Sequence, residues 1–204
     1  MPVNMPLKQV FVTGILLFNI LYLSAQQVNE NFTIPVFSDD FSSENNLWDY
    51  LTTAENLFVL DKGEYFMHRR NATKPYALVT NWKNDLTKFQ IKAALKLGPA
   101  TSEEQTIGII FYIQSDGKGA LVFEINKDKK FRVKQLVGAY YKFLTGEVSE
   151  AGWVKSKYVD VSGEYNVLEA KTSDGIVDFY INGNYVSTTT VKDYAPGALG
   201  ILIG

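Results

Sequence analysis

Period-two alternation of apolar and polar residues, in short segments cut by glycine-bearing turns, is the feature that most restricts what this chain can fold into. The stretch 173–187, SDGIVDFYINGNYVS, shows it in a hairpin. Val177, Phe179 and Ile181 fall on one side of the segment and Asp178 and Tyr180 on the other, as a strand with one buried face requires. Asn182-Gly183-Asn184 then reverses the chain, because Asn and Gly accept the positive φ of tight hairpin turns, and Tyr185-Val186-Ser187 returns. The stretch 89–97 alternates over a longer run, with Phe89, Ile91, Ala93, Leu95 and Leu97 opposed to Gln90, Lys92, Ala94 and Lys96. It stops at Gly98-Pro99, where a ladder of hydrogen bonds cannot easily continue.

The same reading predicts strands over 56–61 and 64–70, around Asp61-Lys62-Gly63, and over 76–80. Residues 107–113, 120–126 and 130–136 form a predicted meander, since their connections are short and full of turn formers. Weaker strands are expected over 138–144 and 153–159, then firmer ones over 165–171 and 198–203. Asp39-Asp40-Phe41 reads as an edge strand, and a helical turn fits only within 47–58. With 46% hydrophobic residues, 13 Phe and 12 Tyr, 204 residues can fill one core, and no internal repeat or linker divides them. The expected fold class is all-β, as a sandwich or barrel of antiparallel strands.

Residues 1–25 read as a secretory leader. Lys8 precedes an uncharged run over 10–23, and Ser24-Ala25 then gives way to polar Gln26-Gln27, so cleavage is expected after Ala25. The run falls short of the roughly 20 residues a spanning helix needs, so no membrane insertion is expected after cleavage. Residues 26–36 form a polar lead-in, and 37–204 the folded domain. The cleaved chain keeps 19 basic and 22 acidic residues, a net charge of −3, which gives nucleic acid no basic surface to grip. The expected location is secreted, periplasmic or cell-surface.

Several segments in this order resemble the concanavalin A-like lectin and glucanase superfamily. They are Asp39-Asp40-Phe41, GIIFY over 108–112, ALVFEIN over 120–126, Gly152-Trp153, EYNVL over 164–168, VDFYING over 177–183 and GALGILIG over 197–204. The likeness is greatest to laminin G-like and family-16-glycosidase-like modules of secreted bacterial proteins. The resemblance implies a two-sheet antiparallel jelly-roll sandwich with one concave sheet. It also implies a strand after the Gly-x-x-Gly segment that pairs with the first strand. The sequence stops at Gly204, so the expectation is either a fragment of a longer protein or an open edge beside Asp39-Asp40-Phe41.

Glycosidases of this shape carry acids at Glu-x-Asp-x-Glu spacing, which projects a nucleophile and an acid/base from one strand face. That pattern is missing here, and Glu124 has Val122 and Asn126 as same-face neighbours, so it is expected to be a solvated outer-face residue. His68 is the single histidine and there is no Cys, which removes two-histidine metal sites and thiol chemistry. No catalytic residue is assigned. Binding asks less: saccharides stack their apolar faces on aromatic rings and bond their hydroxyls to planar polar groups. The candidates are Tyr112, on the face of Gly108 and Ile110, with Tyr140, Tyr141, Trp153, Glu124, Asn126 and Arg132, the last sharing a face with Lys130 and Lys134. His68 and Arg70, on one face of their strand, complete the set. The resemblance also raises calcium on Asp39, Asp40, Asp116 or Asp128, but no spaced acidic loop supports it, and no cofactor is assigned. The expected function is a non-catalytic module binding glycan or another extracellular polymer on the concave sheet. A glycoside hydrolase using Glu124 and a domain binding extracellular protein stand as alternatives.

Overall fold

The computed structural model describes residues 27–28, 30–70, 74–82, 85–98, 105–191 and 195–204. The expected leader and its cleavage point lie outside the described residues. Fourteen strands are present among those described, in the order β1 (Leu51–Thr52), β2 (Asn56–Asp61), β3 (Glu64–Arg69), β4 (Tyr76–Val79), β5 (Phe89–Leu95), β6 (Thr106–Ile113) and β7 (Gly119–Asn126). They continue as β8 (Lys130–Val137), β9 (Tyr140–Phe143), β10 (Val154–Lys155), β11 (Asn166–Ser173), β12 (Ile176–Ile181), β13 (Asn184–Thr190) and β14 (Ala198–Ile203). A single 3-10 turn, Val148–Glu150, separates β9 from β10.

A broad sheet runs β10-β8-β7-β6-β14-β4, with β9 also paired to β8, and a four-stranded sheet runs β13-β12-β11-β5. β1, β2 and β3 form a short sheet of their own. All pairings are antiparallel. The broad and four-stranded sheets stack face to face: Ile109, Phe111, Leu121, Phe123, Ile125 and Val133 from one meet Leu168, Ala170, Val177, Phe179 and Ile181 from the other, all fully buried. The rings of Phe123 and Phe179 meet across the interface at 5.0 Å. Burial of this shared apolar area, about 25 cal/mol per Å², is what holds a chain without disulfides together.

The turns explain the register. Asp174-Gly175 and Asn182-Gly183 have positive φ at both positions (52° and 76°, 51° and 77°), the type I′ geometry whose twist matches that of the flanking strands. The Asn182 amide also accepts from Val167 N–H and donates to Tyr158 O, which locks the hairpin to β11 and to the preceding loop. The predicted strands of 173–187 and 89–97 are therefore present, with β5 ending two residues early at Leu95.

Three local expectations need correction. Asp39-Asp40-Phe41 is not a strand: Asp39 accepts from Phe41 N–H, the Asn45 amide and the Trp48 indole, so its carboxylate builds a turn and anchors Trp48 in the interior. No helix forms within 47–58, where the short strand β1 pairs with β2 instead. Of the predicted strand 153–159 only Val154–Lys155 pairs, because the chain turns at Ser156, whose hydroxyl and carbonyl oxygens accept from Tyr158 N–H and Val159 N–H. The open edges lie elsewhere than expected. Among the described residues, β3 pairs only with β2, and β5 only with β11.

Candidate functional site

The outer face of the broad sheet holds the candidate site. The β7–β8 connection is fixed by Asn126, whose side-chain oxygen accepts from Asp128 N–H and Lys130 N–H, both at 3.1 Å. This turn sets Glu124 directly opposite Arg132, with Lys134 one step further on the same face. Opposite Glu124 on its other side stands Gly108 of β6. A Cβ at 108 would lie 2.6 Å from the Glu124 Cβ, so only glycine leaves room for the carboxylate to sit down on the sheet.

Glu124 is fully buried. Its Oε1 accepts from both Arg132 Nε and Lys134 Nζ, each at 2.5 Å, while its Oε2 is buried with no partner. The side chains of Lys134 and Arg132 are 3% and 15% exposed. One carboxylate thus faces two cations in a low-dielectric setting. Burial holds the Lys134 ammonium below its ordinary value, against the pull of Glu124 in the other direction.

Aromatic rings wall the cluster. Gly152, at φ 76°, sits where any Cβ would meet the Phe143 side chain at 2.8 Å, and Val154 turns inward to the core. Trp153 between them therefore faces outward, its ring 4.2 Å from the Arg132 guanidinium carbon. Phe143 flanks the same guanidinium at 5.7 Å, and Arg132 Nη1 donates to Ala151 O at 3.2 Å. Lys134 Nζ lies 4.5 Å from the centre of the Tyr141 ring. Tyr141 is 41% exposed and Tyr140 80%. Burial, reinforced by the Glu124 charge, raises the Tyr141 phenol above its ordinary value.

Of the residues picked from the sequence, Glu124, Arg132, Tyr141 and Trp153 converge here, with Asn126 as the turn that sets their register. Glu124 is not the solvated, partnerless residue that was expected, because the cross-strand pair with Arg132 draws it down. Tyr112 is not on this face. It has a φ of 54° at the point where the pairing of β14 with β6 slips between Ala198 and Gly200. That irregularity turns its ring inward, where its hydroxyl meets Thr172 Oγ1 at 2.5 Å within the core. His68 and Arg70 lie apart, exposed on and just beyond β3, with His68 stacked on Phe66. They line a cleft of about 2840 Å³ that runs between β3 and β5 and has Arg132 and Trp153 on its boundary. Lys134 was placed on the face of Arg132 from the sequence but not picked as a site residue, and Phe143, which the β8–β9 pairing sets opposite Lys134, was missed.

Among the described residues no three His, Asp or Glu converge as metal ligands. Asp39, Asp40 and Asp116 accept from the backbone N–H groups of Phe41, Ser42 and Lys118, each two residues on.

No protein-family model matches the chain, and no curated protein matches its sequence. Solved structures do match in fold. The carbohydrate-binding module CBM66 from Bacillus subtilis aligns with a TM-score of 0.55 at 11% identity, over 78% of this chain and 83% of that one. A family 16 endo-glucanase from Bacteroides ovatus aligns with a TM-score of 0.53 at 13% identity, over 83% and 85%. The laminarinase catalytic domain from Thermotoga maritima gives 0.52 at 13%, over 85% and 87%. The fold is the concanavalin A-like jelly roll, as the order of sequence segments implied.

Proposed function

We propose that this chain is a secreted, non-catalytic carbohydrate-binding module whose ligand lies on the outer face of the broad sheet. The observation that carries the reading is the Arg132 guanidinium, 4.2 Å from the centre of the Trp153 ring and 5.7 Å from that of Phe143, and bonded through Nε to Glu124. A half-buried ring with planar donors beside it fits a pyranose, which stacks its apolar face and bonds its hydroxyls. The exposed ring of Tyr141 extends the surface for a further sugar unit, whereas Tyr140, paired with Val137, points to the opposite face of the sheet and does not contribute. The fold shared with a carbohydrate-binding module and with glucan hydrolases supports the ligand class.

Retaining hydrolysis needs two carboxyl groups about 5 Å apart. The groups that touch Glu124 are two cations, which favours binding over cleavage. The leader expected over 1–25 supports an extracytoplasmic location, where polysaccharide is met.

The test is affinity electrophoresis of the full chain through gels containing individual polysaccharides. A retarded band that returns to normal mobility in Trp153→Ala supports the site. Release of reducing sugar that disappears in Glu124→Gln would overturn the non-catalytic reading. Retardation unchanged by Trp153→Ala would remove the proposed face.

A further inference from the structure

We infer that the saccharide this face selects carries an anionic group, a carboxylate or a sulfate, and that Arg132 receives it. The inference rests on the carbohydrate reading above and adds the charge of the ligand to it. Three charged side chains meet on the outer face, and they do not cancel: Arg132 and Lys134 share Glu124, and both contact its Oε1. The cluster carries one positive charge in excess, with the Lys134 side chain 3% exposed and that of Glu124 fully buried. An ion pair out of water is stabilised only when charge is balanced and donors are matched, so an excess cation at this depth favours an incoming anion.

Access decides which group meets it. Lys134 is covered, and Glu124 lies beneath both cations. Arg132 is the member that reaches solvent, at 15% exposure of its side chain. Of its five N–H donors, Nε is taken by Glu124 and one on Nη1 by Ala151 O. The guanidinium edge away from Glu124 keeps donors in the fork geometry that grips a carboxylate or sulfate through two oxygens. Trp153 beside it supplies the face on which the sugar ring carrying that anion would stack. Glu124 is then a positioning residue that orients the guanidinium through Nε, and Lys134 sets the charge without touching the ligand. The overall charge of the mature chain is negative, so attraction to a polyanion would have to come from this local excess.

Titration calorimetry of the full chain at 0.15 M salt, against a neutral β-glucan, polygalacturonate and a sulfated galactan, tests the inference. A dissociation constant at least about tenfold lower for polygalacturonate or the sulfated galactan than for the glucan supports it, and the better of the two identifies the anion. Lys134→Met keeps the side-chain volume and neutralises the cluster. It should weaken the acidic polymer about tenfold and leave the neutral one unchanged. Arg132→Lys keeps the charge at a partly exposed position but removes the fork, and should lose the acidic ligand by a similar factor while its melting temperature stays near that of the wild type. Equal affinity for neutral and acidic polymers, with both lost in Trp153→Ala, would overturn the anionic selectivity and leave the carbohydrate reading standing. Binding to none of the three polymers would overturn both.

Discussion

The two stacked sheets carry nearly the same ionic set on their outer faces, one glutamate with two cations, and they use it differently. On the four-stranded sheet Glu169 meets Lys92 at 3.3 Å and Lys171 at 3.5 Å and accepts from the Gln90 amide. On the broad sheet Glu124 meets Arg132 and Lys134. The lysines beside Glu169 are 57% and 27% exposed, so their ammonium groups stay hydrated and salt screens the attraction. The side chains of Arg132 and Lys134 beside Glu124 are only 15% and 3% exposed, with the rings of Trp153, Phe143 and Tyr141 about them, whereas on the other sheet, among the described residues, Tyr180 alone lies beside a lysine of the ladder. Depth, more than composition, separates a supporting surface ladder from the proposed site: the buried set alone keeps its charges away from water.

The largest effect expected from this contrast is on stability. Glu124→Gln leaves two withdrawn cations without their anion and should cost about 3–5 kcal/mol in urea denaturation, the usual penalty for breaking a buried pair from one side. Glu169→Gln, whose cations can turn to water, should cost about 1 kcal/mol or less. Equal losses would erase the distinction between the faces. Gly108→Ala comes next. Its new Cβ would meet Glu124 Cβ at 2.6 Å and the Phe123 carbonyl closer still, an overpacking worth about 1–3 kcal/mol. Because the strain falls on Glu124 itself, the same variant should also lower glycan retardation in affinity gels, which Glu169→Gln should not.

The fold was legible where one property repeated along the chain. Val177, Phe179 and Ile181 announce a half-buried strand unaided, and the Asn-Gly and Asp-Gly pairs fix how it folds back. The site was legible only in part, because it depends on register between strands. Glu124 and Arg132 were picked separately, as a carboxylate and a planar donor. That they face each other follows from the 126–130 turn, which the sequence shows only as a short connection. Tyr112 was misplaced for the opposite reason. Strict alternation puts it beside Ile110, and a slip in pairing with a strand about ninety residues away turns it over. Asp39-Asp40-Phe41 misled in a third way, since a carboxylate that caps a turn and holds an indole looks no different in sequence from one on a strand edge.

A moderate effect is expected at the wall of the site. Trp153→Ala removes the ring over Arg132, a contact worth about 0.5–2 kcal/mol in a partly desolvated setting. Tyr180→Ala takes away the ring 4.8 Å from Lys171 on the other face, where the cation remains partly in water, and should cost less. Chemical denaturation of the pair measures this directly, and a larger loss from Tyr180→Ala would place the tighter cation–ring contact on the wrong sheet.

The smallest difference is one of pH. The Lys134 ammonium is faced by Glu124, Arg132 and the Tyr141 ring, and burial holds its folded-state pKa below the unfolded value. Between those two values the unfolded chain binds the proton and the folded chain does not, so this group makes stability rise as pH increases through that interval. The raised phenols of Tyr141 and Tyr180 work the other way, since the unfolded chain ionises them first and stability falls as pH climbs. The raw profile mixes the two signs. Subtracting the profile of Lys134→Met from that of the wild type isolates the lysine, and the difference should grow in favour of the wild type as pH rises through the alkaline range. A flat difference would mean that Lys134 gives up its proton no more readily than a lysine in water, and that burial does not set this cluster apart from the ladder on the other sheet.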